Sequence, residues 1–333
     1  MSSPIKVRIA GVGHYLPKRV VPNSELESRL GVEPGWIERR SGVSTRRWAS
    51  LEDGESNSWM GAQAALEACA DAGIEPGDID LIINASGTPE QTIPDGAPLI
   101  QVQLGLGESG IPCMSVHTTC ISFLHAFDVA SSLLTTHAYK RILIVSAEVA
   151  SVALNFEEKE SASLFGDAAA AVVVERGDSG ESQIHRSRFA TYGVGAHFTE
   201  VPGGGSRLHP NHPDSKPSDQ TFHMQGKKVL RLAFRHGEEF LEALYPGLSK
   251  GLGDIQCVVP HQASRVGLRA FGAFGWQSER IVQTLADVGN CVAASIPYTL
   301  YRAIKDGRLK RGERFLLFGT GAGLSYGGIV ATY

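Results

Sequence analysis

The chain has 333 residues, 42% of them apolar, with 31 Lys+Arg against 35 Asp+Glu, which excludes a disordered polymer and leaves no basic footprint for wrapping nucleic acid. That length exceeds one ordinary core and calls for two domains or one large α/β unit of about 250–350 residues. Five scattered cysteines without a C-x-x-C pair predict neither a disulfide framework nor a zinc site, and thus a reducing compartment with free thiols.

In chain order, Ile- and Val-rich runs predict a strand over 6–12, and an amphipathic stretch predicts a helix over 57–72. A strand over 79–84, a helix over 121–136 and strands over 141–146 and 170–175 follow. Residues 202–221, rich in Gly, Pro and polar side chains, read as a long surface loop. Beyond it come a helix over 227–245, a strand over 255–260, a helix over 293–306 and strands over 314–319 and 327–332. Pro297 is tolerable only in the first turn of its helix. Strands alternating with helices predict an α/β class with parallel pairing. No apolar run reaches the roughly 18 residues of a membrane span, and the N-terminus lacks a signal-peptide pattern, so a cytoplasmic protein is expected.

The second half echoes the first. A helix, Gly77-Asp78-Ile79 and an apolar strand are matched by a helix, Gly253-Asp254-Ile255 and an apolar strand. Lys140-Arg-Ile-Leu-Ile-Val is matched by Arg314-Phe-Leu-Leu-Phe, each followed by a Gly/Ala-rich segment and another strand. Similarity at half the chain length suggests duplication rather than a solenoid.

Cys120 follows a short extended segment and precedes a helix. A thiol there faces unsatisfied N–H groups and the positive end of the helix dipole, which favour the thiolate. The same N–H groups can cradle an oxyanion formed from a thioester carbonyl. His261 lies just past a buried strand, where functional side chains of α/β folds collect. Asn290, after a glycine, heads another helix. A cysteine nucleophile with His and Asn donors can hold a thioester and stabilise an enolate. The other cysteines read as packing. His209 and His212, in a Pro-rich loop without further ligands, are not expected to bind metal.

Cys120, His261 in PHQAS and Asn290 in GNCVAASIP resemble the Cys-His-Asn triad of the β-ketoacyl-acyl-carrier-protein synthase III family. Trp36-Ile-Glu-Arg-Arg-Ser-Gly42, Leu164-Phe-Gly-Asp167, Pro202–Arg207, Met224-Gln-Gly226 and Gly319–Gly327 also have counterparts in that family, so the resemblance spans nearly the whole chain. It implies the α/β thiolase fold, five αβαβα layers built from two duplicated halves. Residues 1–175 would carry the cysteine, and 176–333 the histidine and asparagine. It implies a homodimer and a decarboxylative Claisen condensation of an acyl-coenzyme A primer with a malonyl thioester, on coenzyme A or acyl carrier protein, without metal or redox cofactor. By the same resemblance the backbone N–H groups of Cys120 and Ala322 form the oxyanion hole. Trp36, Arg40 and Lys159 meet coenzyme A, Ile93 lines the acyl pocket, and Asp167 caps backbone N–H groups.

The chain departs from the family in places. Ile121 follows the cysteine where a small residue is usual, HQAN has become HQAS, Val266 stands where a carrier-docking arginine is expected, and Lys159-Glu160 replaces Arg-Gly. Ile93, where many acetyl-primed members have Phe and non-decarboxylating relatives a glutamate, suits a longer or branched acyl group and cannot abstract a proton. Two alternatives are acyl transfer from Cys120 to a non-carbon acceptor and a non-catalytic thiolase-fold dimer partner.

Overall fold

The computed structural model describes residues 5–136, 139–177 and 182–333. The first half contains β1 (Val7–Tyr15), α1 (Asn57–Ala72), β2 (Leu81–Asn84), β3 (Cys113–Ser115), α2 (Ser122–Thr136), β4 (Arg141–Glu148) and β5 (Ala168–Arg176). The second contains β6 (Gln183–Thr191), α3 (Gly226–Leu244), β7 (Cys257–Pro260), α4 (Ser295–Lys305), β8 (Arg314–Gly321) and β9 (Ser325–Thr332). Helix 57–72 has the predicted bounds because Ser56 caps its start, accepting the Trp59 N–H, and Gly73 ends it in the left-handed region. Pro297 falls in the first turn of α4, where its missing N–H costs nothing.

The strands form sheets in the order β1-β5-β4-β2-β3 and β6-β9-β8-β7. Within the first sheet β1/β5 and β5/β4 are antiparallel, while β4/β2 and β2/β3 are parallel. The second repeats the pattern: β6/β9 and β9/β8 antiparallel, β8/β7 parallel. A parallel bridge from Val258 to Ile281 stands where β3 would be. The expected parallel pairing is therefore corrected to mixed sheets. Strands pair in parallel only where a helix lies between them in the chain; β8/β9 are joined by a tight turn and β4/β5 by a loop with only the four-residue helix 159–162, and both pairs run antiparallel. Among the strands not predicted, β3 has only three residues, and β6 carries His185, Arg186 and Arg188 on an edge with only Ile184 buried, so it lacks an apolar signature.

Alternation along the strands builds five layers. Ile142, Ile144, Val172 and Val174 face a central core shared with Phe123, Phe127 and Leu134 of α2, Ile296 and Leu300 of α4, and Phe315 and Leu317 of the other sheet. Their neighbours Leu143, Val145, Ala171 and Val173 face the opposite way, onto Met60, Ala64 and Ala68 of α1. Leu316, Phe318 and Val330 likewise face Leu232, Phe240 and Leu244 of α3. The order is α1, first sheet, α2 with α4, second sheet, α3. This is the duplicated αβαβα thiolase architecture. No described helix is long and apolar enough to cross a membrane.

Candidate active site

Cys120 lies in the tight turn 119–121 between β3 and α2. His261 is one residue past β7, Ala322 one past β8, and Asn290 precedes the turn 292–294 that opens α4. All four thus sit beyond strand ends or at helix starts, on one side of the paired sheets. Turn 119–121 packs against turn 292–294 and against β8.

The N–H groups of Ala322 and of Cys120 itself, and the Thr119 side chain, lie beside the Cys120 thiol and favour its ionised form. The thiol is nevertheless pushed up to about 12, by burial first and by the charge of Glu148 second. The N–H groups favour the thiolate as the sequence suggests, but desolvation outweighs them and the resting sulfur carries its proton.

His261 is buried and pushed down to about 4 by desolvation, so its ring is neutral at pH 7. Its Nδ1 is buried without a hydrogen-bond partner. Gly319 lets the ring approach the cysteine turn. A Cβ on Gly319 would stand 2.9 Å from His261 Cβ and 3.2 Å from Ile121 Cγ2. The next residue, Gln262, is wholly buried; its amide donates to the Pro260 and Val282 carbonyls and accepts from the Thr284 and Leu285 N–H groups. That fourfold tie fixes the chain that presents His261. Ser264, standing where Asn is expected, caps helix 265–270 through the Gly267 N–H.

The Asn290 backbone is zipped to the LFGD motif: its N–H donates to the Leu164 carbonyl at 2.8 Å and its carbonyl accepts from Gly166 at 3.2 Å. Its Oδ1 accepts the Val292 N–H at 2.9 Å, which assigns the amide orientation and leaves the NH2 as a donor with no partner among the described residues. Asp167 accepts from the Ala49 and Ser151 N–H groups and the Ser151 hydroxyl, capping two segments as the sequence suggested.

Cys120 borders an apolar cluster of Leu154, Leu164, Phe165 and Val292, and Trp36, Phe222 and Met224 border the same cluster. Arg40 lies over the Trp36 ring at 5.9 Å, and its guanidinium is 3.9 Å from Glu160. Lys159, exposed, opens the short helix 159–162, which packs against helix 36–41. Trp36, Arg40 and Lys159 are thus neighbours. Ile93 is not among them: at 84% exposed it closes no cavity of this single chain.

Two contributors were missed in the sequence. Thr119 is held at φ 51° beside the thiol. Glu148 ends β4 wholly buried. A carboxylate at the end of the apolar run RILIVSAE was the available signal for the second; nothing local marks the first.

Family models for 3-oxoacyl-[acyl-carrier-protein] synthase III match residues 114–193, and for the C-terminal part of the same enzyme residues 249–333. The chain is 35% identical over 330 residues to the β-ketoacyl-[acyl-carrier-protein] synthase III of Jannaschia sp. (strain CCS1), covering 96% of this chain and 97% of the relative. It is 35% identical to synthase III 3 of Streptomyces coelicolor, over 98% of this chain and 96% of the relative. Its fold matches the crystal structure of the Aquifex aeolicus 3-oxoacyl-[acyl-carrier-protein] synthase III with TM-score 0.86 and 31% identity, over 98% of this chain and 100% of that one. It also matches the priming β-ketosynthase of the R1128 polyketide pathway, with TM-score 0.85 and 26% identity, over 100% and 98% of the two chains.

Proposed function

Because the chain belongs to the 3-oxoacyl-[acyl-carrier-protein] synthase III family, we propose that it condenses an acyl primer with a malonyl thioester through an acyl-Cys120 intermediate. Cys120 Sγ attacks the primer carbonyl, the acyl group passes to sulfur, and the thiol proton leaves with the coenzyme A thiol. The N–H groups of Cys120 and Ala322 stabilise the oxyanion of that step. Malonyl thioester then loses carbon dioxide, and the electron pair becomes an enolate whose oxygen His261 and Asn290 hold. The enolate carbon attacks the acyl-cysteine, giving the β-ketoacyl thioester and the Cys120 thiolate, which regains a proton. A neutral imidazole and a free amide NH2 suit this task, since both donate in a buried site without a charge to desolvate. The observation that carries these roles is the Asn290 amide, oriented by Val292 to donate from its NH2.

In this reading coenzyme A thioesters are substrates and no metal or redox cofactor takes part. Trp36 and Arg40 receive the coenzyme A nucleotide and Lys159 a phosphate, with Glu160 beside Arg40 weakening the grip. Ile93 reaches an acyl pocket only when a second copy presents it, so the pocket and the homodimer stand together. Exposed Val266 and the neighbouring Arg265 offer carrier protein a different docking charge. The halves divide at 175/176, and the enzyme acts in the cytoplasm on fatty-acid initiation or a specialised pathway.

The test is to incubate the protein with radiolabelled acyl-coenzyme A and then add malonyl thioester. Condensation requires label on Cys120 and then carbon dioxide release. Asn290→Ala keeps the label and loses the release; if it abolished labelling, the role of Asn290 would be wrong. Acylation of the wild type without carbon–carbon bond formation would instead favour acyl transfer.

A further inference from the structure

Glu148 is wholly buried, and no step above uses it. Its Oε1 accepts the Gly87 N–H at 2.6 Å; its Oε2 accepts the Thr88 N–H at 2.8 Å and the Thr88 hydroxyl at 2.6 Å. The strand that Glu148 ends, β4, also packs against the turn 292–294 that follows Asn290. Gly87 touches both site turns: a Cβ there would stand 2.7 Å from Val292 Cγ1 and 3.3 Å from the Thr119 carbonyl oxygen. One carboxylate therefore grips the loop wedged between the turns, at the end of a strand that packs against one of them.

The duplication sharpens the point. The parallel pairs Ile82–Leu143 and Val258–Leu316 set β4 and β8 in matching register, so Glu148 corresponds to Gly321. Gly321 lies under the cysteine turn, where a Cβ would be 2.8 Å from Thr119 Oγ1. One turn rests on bare backbone, and the other packs against a strand that ends in a carboxylate.

We propose that Glu148 is a positioning residue that holds the Asn290 turn against the Cys120 turn for the condensation step. This rests on the condensing reading above. Three donors from the 87–88 loop bind best to an ionised carboxylate, yet burial pushes Glu148 up to about 8. Its charge also helps keep the Cys120 thiol protonated.

The decisive variant is Glu148→Gln, which keeps the shape but turns an NH2 toward the donors. Three readouts accompany it: Cys120 acylation, carbon dioxide release, and the pH midpoint of iodoacetamide alkylation at Cys120. Release falls about tenfold or more while acylation stays within about threefold, and the alkylation midpoint moves to lower pH. Release equal to wild type overturns the proposal, as does a loss of release with an unmoved midpoint, the mark of a merely structural role. Should Glu148→Gln fail to fold, Thr88→Ala removes one donor from the half-buried edge of the same cluster. It lowers release about threefold with acylation kept, and unchanged release there overturns the proposal equally. A wild type that releases no carbon dioxide would sink the condensing reading itself before any variant is compared.

Discussion

Thr119 and Val292 are counterparts across the internal duplication. Each opens the short turn before a central helix at positive φ, 51° and 45°, and they are the only non-glycine residues so held among those described. Left-handed backbone at a branched residue costs on the order of 1–3 kcal/mol and persists where the surroundings over-determine it. Here the surroundings match as well. The Thr118 N–H bonds Ser122 Oγ at 2.9 Å, and the Cys291 N–H bonds Ser295 Oγ at 3.1 Å. In this alignment Ala293 is the counterpart of Cys120. Duplication supplied two strained turns; one bears the nucleophile and the other follows the amide donor.

Gly87→Ala tests how closely the two turns are coupled. The added Cβ would meet Val292 Cγ1 at 2.7 Å and the Thr119 carbonyl at 3.3 Å, so both turns must move apart. Acylation and carbon dioxide release should both fall, each by about tenfold or more, because sub-ångström placement governs each step. Loss of one alone, measured in separate single-turnover experiments, would show that the turns are set independently.

Asn290→Asp separates orientation from donation. One carboxylate oxygen can still accept the Val292 N–H, as Oδ1 does at 2.9 Å, so the turn should keep its shape. The other oxygen now faces the site where an NH2 stood and repels a developing enolate. Acylation should persist while release falls by about a hundredfold or more; a variant that releases carbon dioxide at the wild-type rate would remove Asn290 from that step.

Much of this was legible in the chain itself, and the exceptions have physical reasons. Strands such as 141–148 and 314–321 are buried on both faces and read as continuous apolar runs, whereas edge strand 183–191 is solvated and does not. Cys120, His261 and Asn290 stand at element boundaries, where local signals are strongest. The thiol's raised pKa was not legible because the dipole argument is local, while the desolvation and Glu148 that outweigh it depend on packing. Ile93, expected to line the acyl pocket, is exposed in the single chain, and its place is not a matter of local sequence.

His261 should shape the acid limb of stability. Its folded value is depressed to about 4 from the ordinary 6.5, so the folded state binds fewer protons there. Stability is complete above the unfolded value and is lost as pH falls from 6.5 toward 4, by on the order of 3 kcal/mol in all. Urea midpoints of wild type and His261→Gln at pH 7 and 4.5 check this. The variant should lose less over that interval, and equal losses would mean that the ring is not desolvated.

His223 makes the opposite prediction for the loop that borders the site. Its Nε2 bonds the Ser218 carbonyl and its Nδ1 lies 2.9 Å from Glu158 Oε1, contacts that raise its pKa above the ordinary range. Thr221, Asn155 and the more distant Glu200 also face the ring. A raised histidine contributes its full clasp below the unfolded value and loses it as pH rises through the folded one. The clasp matters because Glu158 also accepts the Met224 N–H, Phe222 lies edge-on to Phe165, and both loop residues border the cluster at Cys120. Hydrogen exchange at Phe222 and Met224 should therefore accelerate between pH 6 and 9 beyond the intrinsic rise, together with alkylation of Cys120 beyond its own thiolate fraction. In Glu158→Gln both excesses should vanish, because the faster background no longer depends on the charge of His223. Exchange that follows the intrinsic rise in the wild type would show that the loop is held by Phe222 packing alone.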